Sequence, residues 1–420
     1  MKKEMEKLKK DPMTVLKEAE KVILAYSGGL DTSVLVTWLK EAGVKDVICV
    51  AGNLGQIKDV EALEAKAMKT GASKFYCLDL KDEYVEDYVF PALKAGAKYE
   101  GQYLLGTATA RPLIAKGLVE IADKEGTEVI VHGCTGKGND QVRFEMTMMA
   151  INPDLKVVAP WRFWELESRS DELAYAEKHG IPLTVKADND YSMDENIWHL
   201  SHEGLDLEDT ANEADWKKIL KWAKTPEEAP EEACYVEIDF EQGIPVALDG
   251  EKMSAAALVE KLNEIGGLHG IGVDDIVENR LVGMKSRGIY ENPAGAILYY
   301  AHEKLESIVL DADTLHFKQP LSHHYANLVY NGKWDSPLKE ALDAFVDRTQ
   351  AKVTGSVKLK LYKGSIRPAG IRSPYSLYDE GYATFEQDDV YDQADATGFI
   401  KLYGLANTIR AKMGKEAGLQ

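Results

Sequence analysis

The sequence predicts an α/β protein: a doubly wound parallel sheet in the first half, a second mixed α+β domain, and a C-terminal helix. Three observations lead there. Short apolar runs alternate with helical stretches up to about residue 190. Beyond it the alternation stops, and hairpin-like strands mix with longer helices. The last 20 or so residues carry an apolar stripe at helical spacing.

The elements follow in order. Residues 1–20 read as a polar helical extension. Val22-Ile23-Leu24-Ala25-Tyr26 is a continuous apolar run, as a strand buried on both faces requires. A glycine-rich turn leads into a helix at 33–42, closed by Gly43. Strands at 47–51, 74–78, 128–132 and 156–159 alternate with helices at 60–70, 82–95, 110–125 and 171–179. The acidic stretch 203–233 suits a surface connection. Residues 234–239 and 244–248 read as a hairpin around Gln242-Gly243. Helices at 255–265, 294–309 and 336–350 and a strand at 357–362 complete the second domain.

Composition narrows the function classes. The 420 residues carry a net charge of −20, which argues against a nucleic-acid partner, since duplex binders present a basic face. The four cysteines form no CxxC pair, so neither a zinc site nor a disulfide framework is expected. Residues 1–10 lack the apolar core of a signal peptide, and no apolar run approaches a membrane span. The expectation is a soluble cytoplasmic chain with no membrane partner.

The chemistry concentrates in two loops at strand ends. After the first strand comes Ser27-Gly28-Gly29-Leu30-Asp31-Thr32-Ser33. Its glycines admit close approach by phosphate, its hydroxyls donate, and the helix that follows offers free N–H groups. Asp31 is placed to help hold Mg²⁺, or else to cap the helix. The spacing is not that of a Walker A loop. It resembles the loop of ATP pyrophosphatases, which grip the β and γ phosphates and leave the α phosphorus open. The second loop, His132-Gly133-Cys134-Thr135-Gly136-Lys137-Gly138-Asn139-Asp140, ends the fourth strand and suits phosphate and polar substrates.

Other motifs receive plainer readings. His199 and His202 lack the zinc-peptidase order and read as solvated or capping residues. The glycines from 266 to 272 follow a helix and read as a loop. Cys134 has Lys137 beside it but no base, and reads as a small lining residue. Arg111, ahead of Pro112, either pairs with a substrate carboxylate or sits exposed at a helix start.

Four separated segments carry a specific resemblance: 25–33, 132–145, Ser192-Met193-Asp194-Glu195-Asn196, and 277–291. In this order, from about residue 21 to the C-terminal end, the chain resembles the argininosuccinate synthase family. The resemblance implies an ATP-dependent ligase of arginine biosynthesis that joins citrulline and aspartate through a citrullyl-adenylate, releasing AMP and pyrophosphate. By that resemblance Ala25, Tyr26, Ser27, Gly28, Gly29, Leu30, Asp31, Thr32, Ser33, Gly52, Gly133, Gly136, Lys137 and Gly138 would bind ATP with Mg²⁺. Thr135, Asn139 and Asp140 would bind aspartate, with Arg111 added on charge matching. Tyr103, Asn139, Arg143, Ser192, Ser201, Glu278 and Tyr290 would bind citrulline. Where some members use a serine toward citrulline this chain has Ala108, with Thr107 and Thr109 beside it. The implied division is an extension (1–20), an ATP-binding domain (21–188), a substrate domain (189–390) and an oligomerisation helix (391–420) of a homotetramer. Two readings compete: a transferase that adenylates and thiolates tRNA, and a non-catalytic nucleotide sensor. The first wants catalytic cysteines and a basic surface; the second is disfavoured by intact Asp31, Lys137 and Arg143.

Overall fold

In a computed structural model, which describes residues 11–166, 168–182, 191–384, 390 and 392–418, the first half is organised around a parallel sheet. After α1 (Pro12–Glu18) come β1 (Lys21–Ala25), α2 (Leu30–Glu41), β2 (Asp46–Asn53), α3 (Val60–Thr70) and β3 (Lys74–Asp79). Helical residues 81–95 run as Lys81–Glu83, a π-helical segment Tyr84–Val89, and α4 (Phe90–Ala95). Then follow α5 (Gly106–Glu125), β4 (Val129–Val131), α6 (Asp140–Ile151), β5 (Lys156–Val158) and α7 (Arg169–Lys178). The strand order is β3-β2-β1-β4-β5, with every pairing parallel.

Alternation along β1 divides the apolar run between two cores. Val22 and Leu24 pack with Leu35 and Leu39 of α2, while Ile23 packs with Leu118 and Ala122 of α5. Burial on both faces explains why the run is continuous. Strand order reverses between β1 and β4, so a crevice opens at their C-terminal ends. Both glycine-rich loops start there.

Two antiparallel sheets make up the second half of this unit. One has the order β11-β12-β7-β6, formed by β6 (Ser192–Glu195), β7 (Leu200–Glu203), β11 (Val273–Asn279) and β12 (Lys285–Glu291). The other has the order β10-β9-β8-β13-β14, formed by β8 (Cys234–Glu241), β9 (Ile244–Leu248), β10 (Glu251–Lys252), β13 (Gly355–Tyr362) and β14 (Ser365–Arg372). The expected hairpin is present, with Gln242 at φ 52° and Gly243 at φ 78° turning the chain. Helices α8 (Ala255–Leu268), α9 (Pro293–Val309), α10 (Ala312–Tyr330) and α11 (Pro337–Gln350) accompany these sheets.

The structure corrects several sequence readings. Helix α5 starts at Gly106 rather than at 110, because the Thr107 N–H donates to the Tyr103 hydroxyl at 2.9 Å and secures the first turn. Helix α10 was missed: Pro320 and three histidines obscure it, and few of its residues are buried. Gly266 and Gly267 lie in the last turn of α8, not in a loop. Asp31 does not cap α2, whose N-cap is Gly29 without a side-chain bond.

Residues 376–420 form a second compact unit, after the first at 1–375. The single helix expected within 391–420 is two, α12 (Asp395–Tyr403) and α13 (Leu405–Glu416), interrupted at Gly404. Its apolar stripe, with Phe399, Leu402, Tyr403 and Met413, is exposed. Residues 1–10 of the extension and the boundary at 188/189 lie outside the described residues.

Candidate active site

A cleft of about 880 Å³ opens at the C-terminal ends of the parallel strands. Of the first loop, Ala25, Tyr26, Ser27, Gly29, Asp31 and Thr32 line it. Gly28, Leu30 and Ser33 do not: Leu30 packs toward the apolar core and Ser33 is wholly buried in α2. Gly28 has φ +76°, a conformation that favours glycine, and a Cβ there would press on Leu63 Cδ1. Ser27 Oγ sits 3.2 Å from Thr32 Oγ1 and accepts the Gly29 N–H at 3.3 Å. Gly52, at the end of β2, lines the same cleft.

The second loop contributes Gly133, Thr135, Gly138, Asn139 and Asp140 to the lining, while Gly136 and Lys137 stand exposed at its tip. Its base is fixed by His132. The Cys134 N–H donates to Nδ1 at 3.2 Å, so Nε2 carries the proton toward Glu145, 3.1 Å away. Burial pushes the Cys134 thiol up, and Asp140 pushes it further. Lys137 does not activate this cysteine, which remains a protonated lining group.

Polar side chains from three elements, and from the turn before β7, join in one cluster. Arg111 of α5 donates to Asp140 of α6 at 2.8 Å and to Asp194 of β6 at 2.6 Å. Burial alone would lower the guanidinium pKa; the two carboxylates reverse that and raise it. Arg111 is thus a paired residue of the cleft, not an exposed helix-start arginine. Asp140 also accepts from Arg143 at 2.9 Å. Burial pushes its carboxyl up, but the two guanidinium groups hold it below the usual carboxylate range. Thr107 Oγ1 donates to Asp194 at 2.9 Å and lies 3.2 Å from His199 Nε2.

The solvated reading of the histidines is wrong. His199 and His202 are both fully buried, one on Thr107 and the other 2.8 Å from Glu291. Burial lowers the His199 pKa to about 4, leaving a neutral ring. Ala108 is also fully buried and takes no place in the lining; Thr107 does, and Thr109 turns inward to Tyr84 and Leu105.

Tyr103, Arg143, Ser192, Ser201, Glu278 and Tyr290 also line the cleft. Glu278 is buried, accepting from the Tyr330 hydroxyl at 2.9 Å and the Tyr290 hydroxyl at 3.3 Å. Burial raises its pKa, an effect opposed by Tyr330 and Arg143. Asn139 donates to the same Tyr330 hydroxyl at 3.0 Å and accepts from the Leu281 N–H at 2.9 Å. The structure therefore adds Thr107 and Asp194 to the lining, and His199 and Tyr330 as residues bonded to it. Asp194 lay inside a motif already singled out; Tyr330 ends the helix that was missed.

Behind Asp31 stands Glu172 of α7, almost fully buried and with Oε1 lacking a hydrogen-bond partner. Burial and the neighbouring Asp31 raise its pKa to about 9, so it keeps a proton at neutral pH. Among the described residues no set of three or more potential ligands could hold a metal. One half-buried carboxylate, Asp31, beside hydroxyls and an anion-binding loop does suit Mg²⁺ brought in on phosphate, because that ion usually takes few protein ligands.

The comparisons with known proteins fall in line with this geometry. The description "Arginosuccinate synthase N-terminal HUP domain" matches residues 21–182, and "Arginosuccinate synthase C-terminal domain" matches residues 191–410.

The chain belongs to the argininosuccinate synthase family.

It is 60% identical over 401 residues to the argininosuccinate synthase of Desulfitobacterium hafniense (strain DSM 10664 / DCB-2), covering 96% of this chain and 100% of that one. To that of Moorella thermoacetica it is 59% identical over 402 residues, 96% and 98% of the two chains. To that of Clostridium botulinum (strain Eklund 17B / Type B) it is 58% identical over 398 residues, 95% and 98% of the two. The family is one of ATP-dependent ligases of arginine biosynthesis, and the α/β fold expected from the strand pattern is that of its HUP domain. Among the described residues no helix is long and apolar enough to cross a membrane.

Proposed function

We propose that this cleft joins citrulline to aspartate, with one observation carrying the reading: the phosphate-type loop after β1 and the hydrogen-bonded Glu278–Tyr290 pair line a single cavity. ATP lies along the first loop, Gly52 and the second loop, its β and γ phosphates on the N–H groups and hydroxyls of residues 27–32. Asp31, together with the phosphates, would hold Mg²⁺, which would supply charge neutralisation to the departing pyrophosphate. Citrulline takes Tyr103, Asn139, Arg143, Ser192, Ser201, Glu278 and Tyr290, and aspartate takes Thr135, Asn139 and Asp140.

A urea carbonyl is a poor electrophile, because its nitrogens donate into it. In the first step the ureido oxygen forms a bond to the α phosphorus as the bond to the bridging oxygen breaks, and pyrophosphate leaves. In the second, the neutral amine of aspartate attacks the ureido carbon and AMP departs with that oxygen. The protein positions groups and stabilises charge, so no nucleophilic triad is required. Arg111, bonded to Asp140 and Asp194, acts from the wall by holding the aspartate-side carboxylates in place. ATP consumed with both amino acids present is expected to appear as AMP and pyrophosphate. ADP and phosphate as main products would overturn the reading.

The proposal extends to organisation. The two family matches break between 182 and 191, which supports an ATP-binding domain at 21–188 and a substrate domain at 189–390. The reading also places the protein in the cytoplasm as a homotetramer, with the exposed stripe of α12 and α13 buried against another copy. Removing residues 397–420 is expected to yield smaller species in sedimentation. A folded, fully tetrameric truncation would contradict this.

A further inference from the structure

Lys66, on α3, stands behind the first loop and takes no part in lining the cleft. Its ammonium donates to the Gly28 carbonyl at 2.5 Å. The side chain is half-buried, and burial lowers its pKa below the ordinary lysine value. Three covered lysines elsewhere hold carboxylates, Lys94 with Asp347, Lys318 with Glu306 and Lys339 with Asp343, whereas half-buried Lys40, like Lys66, donates to a backbone carbonyl. Among the described residues Lys66 pairs with none; its partner is a neutral carbonyl. An ammonium drawn out of water without a counter-charge is unfavourable. Retained here, it leaves the loop with positive charge that a bound anion would balance.

The direction of its hydrogen bond also matters. The Gly28 carbonyl and the Gly29 N–H belong to one planar trans peptide and point opposite ways. Holding the carbonyl on Lys66 therefore aims the N–H away from α3, where it meets Ser27 Oγ at 3.3 Å. That is the long limit of a hydrogen bond, to a neutral hydroxyl. A phosphate oxygen is a stronger acceptor and would take the place of Ser27. Ser27 and Gly29 both line the cleft.

The geometry points to Lys66 as the positioning residue that orients the Gly28–Gly29 peptide toward the β and γ phosphates and supplies uncompensated positive charge behind them. This rests on the ATP reading of the cleft. Lys66 touches the loop, not the ligand, so its effect should follow the phosphates specifically.

The test is calorimetric binding of ATP and of AMP, each with Mg²⁺, to the full chain and to Lys66→Met and Lys66→Arg. Methionine keeps the apolar stem and removes the charge. Loss of one charged hydrogen bond predicts ATP affinity lowered about tenfold in Lys66→Met. AMP affinity should be unchanged, and arginine should preserve ATP binding. Unchanged ATP affinity in Lys66→Met with a native circular dichroism spectrum would overturn the inference. Equal weakening of ATP and AMP would overturn it too, by showing general damage to the loop. An unsubstituted chain that fails to bind ATP would instead overturn the reading of the cleft, and this inference with it.

Discussion

Asp31→Ala is expected to slow adenylation about a hundredfold, corresponding to ~3 kcal/mol of lost charge stabilisation. The residue lies in the first turn of α2 and faces the cleft, yet it makes no capping hydrogen bond. The helix therefore loses little when it is removed. Its absence also relieves Glu172, whose carboxyl is held protonated partly by the charge on Asp31. Thermal melting should show the variant as stable as the parent, while single-turnover formation of the adenylate falls. Near-normal turnover in the folded variant would remove Asp31 from the chemistry.

Glu278→Gln is expected to raise the citrulline requirement by about ten- to a hundredfold, since a charge-assisted bond to the α-ammonium is worth roughly 1.5–3 kcal/mol. ATP should be affected far less. Glu278 is buried beneath the cleft wall, with two tyrosine hydroxyls donating to it. Burial raises the Glu278 pKa and the Tyr330 hydroxyl and Arg143 oppose it, so an incoming ammonium would add to the groups that favour the carboxylate. Glutamine keeps the shape and one acceptor but loses the charge. Separate titrations of citrulline and ATP distinguish the cases, and equal increases for both would show that Glu278 supports the wall and not the substrate.

Much of this was legible in the sequence, for physical reasons. The run 22–26 announced a parallel strand because both faces of β1 are buried. Gly28 announced a turn whose φ is positive. The Glu278–Tyr290 pair was marked only by resemblance to a family; no local spacing says that residues 12 apart on neighbouring strands share a hydrogen bond. Tyr330 was invisible because its partners, Asn139 and Glu278, are distant in the chain and α10 itself was hidden by Pro320. The buried histidines misled for a similar reason: His202 is polar, and only the fold reveals Glu291 opposite it. Arg111 looked like a free cation because both carboxylates that hold it come from other elements.

The central claim is that the ureido oxygen of citrulline attacks the α phosphorus of ATP. Running the product assay with citrulline labelled at that oxygen with heavy oxygen, and leaving out each substrate in turn, tests it most directly. One labelled oxygen is expected in the phosphate of AMP, none in pyrophosphate, and full turnover only with both amino acids present. Label recovered in pyrophosphate or free phosphate, or AMP formed without label, would contradict it.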